Sequence, residues 1–326
     1  MISRQQRIQI LLAFVYGRIL TNLRMSKYLI KPTGSIWLNP PAIYDLKRDL
    51  LLYDKVGMLN VDNLIEGLFQ YKQYPVFRNT LNEIEFLVKN ELFIELKQLA
   101  VPFSNSGTAL INKDDLGLAD MTMKLKSAMQ DEKDTDKRDE LYWKHDILNT
   151  RLWCNIINDN NESVFTVPSL IDTSTFEISG TTKQKVYSII HKLIPLPSNE
   201  TPWEKIIDFR NDEDSKLKLL ALKNWINELH DGVKANELED KINYLFSQYS
   251  ESLRRHKINS RLSTFKTIVN AVPTALTEII RLRFGKAIDA FFSIAEQEVN
   301  FTKFNERNSL KGNELAYISH TKSKFK

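Results

Sequence analysis

The stretch Leu193-Ile-Pro-Leu-Pro-Ser-Asn-Glu-Thr-Pro-Trp-Glu-Lys-Ile-Ile-Asp-Phe-Arg210, followed by Asn211-Asp-Glu-Asp-Ser215, divides the chain into a mixed first part and a helical second part. Pro195 and Pro197 fix φ and remove two backbone donors, so the chain is extended there. Thr201, Pro202 and Glu204 stand at the N-cap, N1 and N3 spacing of a capping box. A short helix is therefore expected from Pro202, burying Trp203, Ile206, Ile207 and Phe209. Asp212, Glu213 and Asp214 then open a second helix, where the dipole favours negative charge. Leu219, Leu222, Ile226 and Leu229 share one face of it, flanked by Leu220 and Trp225, and Gly232 supplies a stop. Asp208 and Arg210, on either side of Phe209, form an interdomain corner. They could be an acid and an anion binder in a cleft; ion-paired turns between helices are commoner, and a salt-bridged turn is the reading taken.

Upstream of this corner the pattern alternates. Residues 1–24 carry Arg4 and Arg7 ahead of an apolar run from Ile8 to Tyr16. That run is too short to span a bilayer and lacks a small-residue cleavage site, so it reads as an N-terminal extension or amphipathic helix. Met25 is a natural start for a domain, and removal of residues 1–24 is expected to leave a folded protein. Strands are expected at Ser35–Leu38, within Asp54–Val61, at Leu92–Leu96 and at Val164–Val167. Helices are expected over Ala42–Tyr53, from Asp62, and over Pro75–Asn90, the last with Leu81, Ile84, Leu87 and Val88 inward. A loop is expected at Pro102–Gly107. Asp114–Tyr142 is highly charged and reads as a solvated helical hairpin or a mobile segment, with helix continuing over Asp136–Asn149. Downstream the chain is helical, with a kink or restart at Pro273. The expected class is α+β, predominantly α. A mixed domain over residues 25–180 precedes a helical domain over 181–326 with a basic surface.

Composition narrows the functions. Ten glycines in 326 residues disfavour folds built on glycine-rich phosphate loops. The single cysteine, Cys154, excludes an intramolecular disulfide and fits a reducing cytoplasm. Its apolar neighbours Leu152, Trp153, Ile156 and Ile157 mark a structural thiol rather than a nucleophile. Residues 252–326 hold 14 Lys and Arg against 6 Asp and Glu, although the whole chain is only +4. Arg254, Arg255, Lys257, Arg261, Arg281, Arg283 and Lys286 are candidate phosphate contacts within that segment. They could equally meet an anionic protein or the acidic remainder of the chain. No transmembrane segment, no cofactor motif and no specific metal motif is present.

Three polar groupings could carry chemistry. Glu95-Leu-Lys97, with Asp62 or Asp54 from a neighbouring strand, has the residue types of nucleases that place glutamate and lysine on a magnesium ion. Glu228, His230 and Asp231 could bind a metal, but a helix C-terminus explains them more simply. The third, Arg138-Asp-Glu-Leu-Tyr-Trp-Lys-His145, sets an arginine and a histidine near one helical face. It resembles the arginine–histidine signature of helical HEPN-type ribonucleases over these eight residues. That resemblance implies His145 as acid or base toward a ribose hydroxyl and Arg138 at phosphate, with Asp139 beside them.

Leu193-Ile-Pro-Leu-Pro197 ahead of Thr201-Pro-Trp-Glu-Lys-Ile-Ile-Asp-Phe-Arg210, with Glu314-Leu-Ala-Tyr-Ile318 near the end, resembles uncharacterised bacterial proteins encoded near mobile-element and phage-defence genes. The resemblance implies a cytoplasmic accessory protein and supplies no catalytic residue. The expected function is therefore binding of a protein or nucleic-acid partner in a defence setting, with a metal-independent HEPN-like ribonuclease as the alternative. Assembly of identical copies is compatible with either.

Overall fold

A computed structural model describes residues 28–33, 43–99, 113–168, 172–173, 176–177, 181–230, 315–325 and, within 237–251, residues 237, 240–242, 244–245, 247–249 and 251. The expected N-terminal helix, the strand at 35–38, the loop at 102–107, Gly232, the kink at Pro273 and every candidate phosphate contact from Arg254 to Lys286 lie outside these residues. The chain divides into two compact units, Met1–Ser169 and Leu170–Lys326.

The first unit runs β1 (Tyr28–Pro32), α1 (Ile43–Leu52), β2 (Lys55–Met58), α2 (Val61–Gln70), α3 (Pro75–Lys89), β3 (Phe93–Glu95), α4 (Lys113–Asp131), α5 (Thr135–Asn160) and β4 (Val164–Thr166). The strands pair in the order β3-β2-β1-β4, all parallel. Parallel neighbours need helical crossovers, and α1, the α2–α3 pair and the α4–α5 hairpin provide them. The order reverses at β1, because β4 joins its other side, so the sheet is doubly wound. Ile30, Ile94, Leu96 and Val164 pack with Ile156 and Ile157 of α5 in one buried cluster. Gly57 lies over this layer: a Cβ there would come within 2.8 Å of Leu96 Cγ and 3.1 Å of Ile30 Cγ2, so the close approach requires glycine.

The α+β, mainly helical class is present as expected. The central strand, Tyr28–Pro32, follows directly on the domain start at Met25 and is not among the expected strands. Its pattern is buried throughout except Tyr28, and Lys31 is buried in line with its apolar neighbours, though slightly less deeply. The expected helices at 42–53 and 75–90, the strands at 55–58, 93–95 and 164–166, and the charged hairpin are all formed. Asp134 caps α5 by accepting from the amides of Asp136 and Lys137.

The second unit contains a short antiparallel pair, β5 (Asp172–Thr173) with β6 (Phe176–Glu177), then α6 (Thr182–Leu193), α7 (Trp203–Asn211), α8 (Glu213–Asn227) and α9 (Ala316–Lys324). Helix α8 packs on α6, α7 and α9. Trp203, Ile206 and Phe209 are buried as expected, as are Leu222, Ile226 and Leu229, while Ile207 is half-buried and Leu220 is exposed.

The capping box at Thr201 does not form. Helix α7 begins one residue later with Pro202 as N-cap, at ψ 150° and with no side-chain cap. The Thr201 hydroxyl instead pairs with Ser198 Oγ at 3.0 Å. A capping box is present ahead of α6, where Thr181 Oγ1 accepts from the Gln184 amide and Gln184 Oε1 accepts from the Thr181 amide. Asp212 both ends α7 and caps α8, accepting from the Ser215 amide at 2.9 Å.

Candidate functional site

In a parallel sheet the C-terminal strand ends share one edge, which is where ligands of such folds bind. Helix α2 starts at that edge after Asn60, which sits in the left-handed region at φ 62° and gives no side-chain cap. The missing cap comes from β3. Glu95 Oε2 accepts from the Val61 amide at 2.8 Å, and Oε1 accepts from the Lys97 amide at 3.1 Å. The Lys97 ammonium donates to Asn60 Oδ1. Asp62 follows, its carboxyl held above the usual range first by partial desolvation and then by the charges of Glu95 and Glu66. Glu95 and Lys97 thus meet the first turn of α2, where Asp62 sits, and no aspartate of a neighbouring strand joins them among the described contacts. Asp54 stays elsewhere, accepting from the Leu29 amide at 2.8 Å beside the start of β2. Both oxygens of Glu95 are committed to backbone amides, so the cluster first completes a helix N-terminus.

Lys31 lies nearer the β1–β4 reversal point. Its ammonium donates to the Val167 carbonyl at 3.4 Å and stands 5.9 Å from the Tyr53 ring centre. Burial pushes it below the ordinary lysine range, against the opposing field of Asp49, itself buried. Cys154 is fully buried in the same unit, and Thr166 Oγ1 donates to its carbonyl. Desolvation pushes the thiol up to about 12, which removes it as a nucleophile at neutral pH.

Arg138 and Asp139 are exposed near the start of α5, and His145 is half-buried about 10 Å further along the helix axis. Partial burial lowers the His145 imidazole below its ordinary value, with Lys126 of α4 acting in the same direction and Asp146 opposing. Asp208 is exposed and Arg210 half-buried in the last turn of α7.

Asp212, Asp214 and His320 present ligand atoms within 4.8 Å of one another. Their contacts are those of a cap. Asp212 Oδ2 accepts from the Ser215 amide and from the Ser215 hydroxyl at 3.0 Å, and these two bonds, the amide's first, hold the carboxylate below its usual range. The same hydroxyl lies 3.0 Å from His320 Nε2, and Lys218 pairs with Asp214. His320 stacks on Phe209 at 5.1 Å, which joins α9 to α7. A cation there would compete with Lys218 and with the positive end of the helix dipole.

The surface feature that sequence reading passed over is the turn joining α2 to α3. Tyr71 and Tyr74 are 45% and 55% exposed, and Val76 is 56% exposed. Phe77 lies between the two tyrosines, 5.5 Å from the Tyr71 ring and 6.3 Å from the Tyr74 ring. Lys72 stands 3.6 Å over the Phe69 ring, and Arg78 is exposed on the first turn of α3. The turn is fixed by Tyr74 N donating to the Tyr71 carbonyl at 3.0 Å, and Arg78 N to the Tyr74 carbonyl at 3.1 Å. Pro75 at N1 fixes the helix entry. The signal was present in Tyr71-Lys-Gln-Tyr-Pro-Val-Phe-Arg78, whose apolar members do not follow the period of the buried face.

No helix among the described residues is long and apolar enough to cross a membrane. The fold and surface describe a doubly wound unit followed by a helical unit. No family model, no curated protein and no solved structure matches the chain.

Proposed function

We propose that this protein works by binding a partner rather than by turnover, as a cytoplasmic bacterial accessory protein in a phage-defence setting. The observation that carries the binding reading is the ordered, solvent-facing group of Tyr71, Tyr74 and Val76 beside Lys72 and Arg78. Large exposed rings on a fixed turn have a desolvation gain to realise on contact, and the adjacent cations favour an anionic partner. The clustered carboxylates support the same reading from the other side. Glu95 and Asp212 spend their oxygens on helix starts. The defence setting rests on the resemblance of the 193–210 and 314–318 segments.

The HEPN-like alternative rests on Arg138 and His145. Incubation of a labelled RNA with the wild-type protein and with His145→Ala separates the two. The binding reading expects intact RNA from both proteins. Cleavage by the wild type that is lost in His145→Ala would overturn it in favour of the ribonuclease.

A further inference from the structure

We infer that the α2–α3 turn is a stacking platform for single-stranded nucleic acid; this rests on the binding reading above and names its partner. Two observations converge. The first is geometric: Tyr71, Phe77 and Tyr74 form a run of adjacent rings with the outer two about half exposed. A base has an apolar π face that stacks on such rings whatever its sequence. The second is charge complementarity. Residues 67–82 contain Lys72 and Arg78 and no aspartate or glutamate. The charges nearest the rings in sequence are thus Lys72 and Arg78, with Glu66 and Glu83 five residues beyond Tyr71 and Arg78 on either side. Two cations beside exposed rings are the combination that holds a phosphate backbone while bases stack. A duplex hides its base faces, so it gains only the cation contacts. A purely acidic peptide such as polyglutamate would meet the cations and leave the rings without a stacking partner. Because the turn is held by its own backbone hydrogen bonds, the platform is formed before the strand arrives.

The test is fluorescence anisotropy with the full chain and a labelled thymidine strand of about 15 nucleotides, longer than the rings of the turn can span. The same strand annealed to its complement and a labelled polyglutamate peptide are measured beside it. Tyr71→Ala with Tyr74→Ala removes both exposed rings, and Tyr74→Trp keeps a stacking surface. The expected result is tighter binding of the single strand than of the duplex, weakened at least about tenfold by the double alanine change and retained by Tyr74→Trp. Circular dichroism of the variants should match the wild type, since both tyrosines are exposed.

Single-strand affinity unchanged in the double variant overturns the platform while leaving the accessory reading standing. Wild type that binds no single strand, binds the duplex equally well, or binds polyglutamate with the same sensitivity to the tyrosines also overturns it. So does self-association of the wild type that disappears in the double variant, which would assign the turn to a second copy. RNA cleavage lost in His145→Ala bears only on the accessory reading, so the two failures are distinguishable.

Discussion

Burial decides what several individual side chains can do. Cys154 is fully enclosed, and with its thiol pushed up to about 12 almost no thiolate exists at neutral pH. It should therefore resist a thiol-specific reagent in the native protein and react at the ordinary rate once unfolded in denaturant. Fast labelling under native conditions would show that the first unit opens around α5. Cys154 was legible in the sequence as structural, from its apolar neighbours. Lys31 was not. In a list of residues it breaks an apolar run and, with Pro32, argues against a strand. Only the fold supplies the Val167 carbonyl and Asp49 that let a lysine sit inside. That is why the central strand was missed while its neighbours, with ordinary strand composition, were found.

At the scale of elements, helix ends carry much of the local specification, and their legibility was uneven. Thr201-Pro-Trp-Glu204 has the letters of a capping box, but Pro202 stays extended and the Thr201 hydroxyl is taken by Ser198. Thr181 to Gln184 forms the box, on a pair that reads less clearly because glutamine replaces the charged partner. Glu95 capping α2 was beyond sequence reading altogether, since donor and acceptor are 34 residues apart and meet only through β2–β3 pairing. The end of α3 carries a different signature. Leu92 N donates to the Leu87 carbonyl at 2.9 Å and Glu91 N to the Val88 carbonyl at 3.0 Å, the two bonds of a Schellman motif. The residue at its left-handed position is Glu91, at φ 59°, where glycine carries no Cβ penalty. Glu91→Gly should therefore raise stability by about 1 kcal/mol, the cost of the left-handed conformation for an L side chain. Equilibrium denaturation in urea measures it as a higher midpoint with an unchanged slope. A lower midpoint would mean that Glu91 contributes contacts outweighing its backbone strain.

For the molecule as a whole, charge distribution sets the strongest remaining test. The chain is +4 overall, residues 252–326 carry 14 Lys and Arg against 6 Asp and Glu, and Lys72 and Arg78 form a separate basic locus in the first unit. Each phosphate neutralised on a single strand contributes about 0.7 to the slope of log affinity against log salt. If only Lys72 and Arg78 met phosphate, the slope would be about −1.4, and changing both to Gln would abolish it. The surplus in 252–326 predicts a steeper slope in the wild type. Lys72→Gln with Arg78→Gln should then reduce its magnitude by about 1.4 and leave a remainder. That remainder should shrink when Arg254, Arg255, Lys257 and Arg261 are changed to Gln in the same background. Binding titrations of the thymidine strand across a range of sodium chloride concentrations provide all three slopes. A wild-type slope near −1.4 with no remainder would confine nucleic-acid contact to the α2–α3 turn. A slope unchanged by the Lys72 and Arg78 substitutions would move the phosphate contacts away from it, because charge removed from a contacted site cannot leave counterion release unaltered.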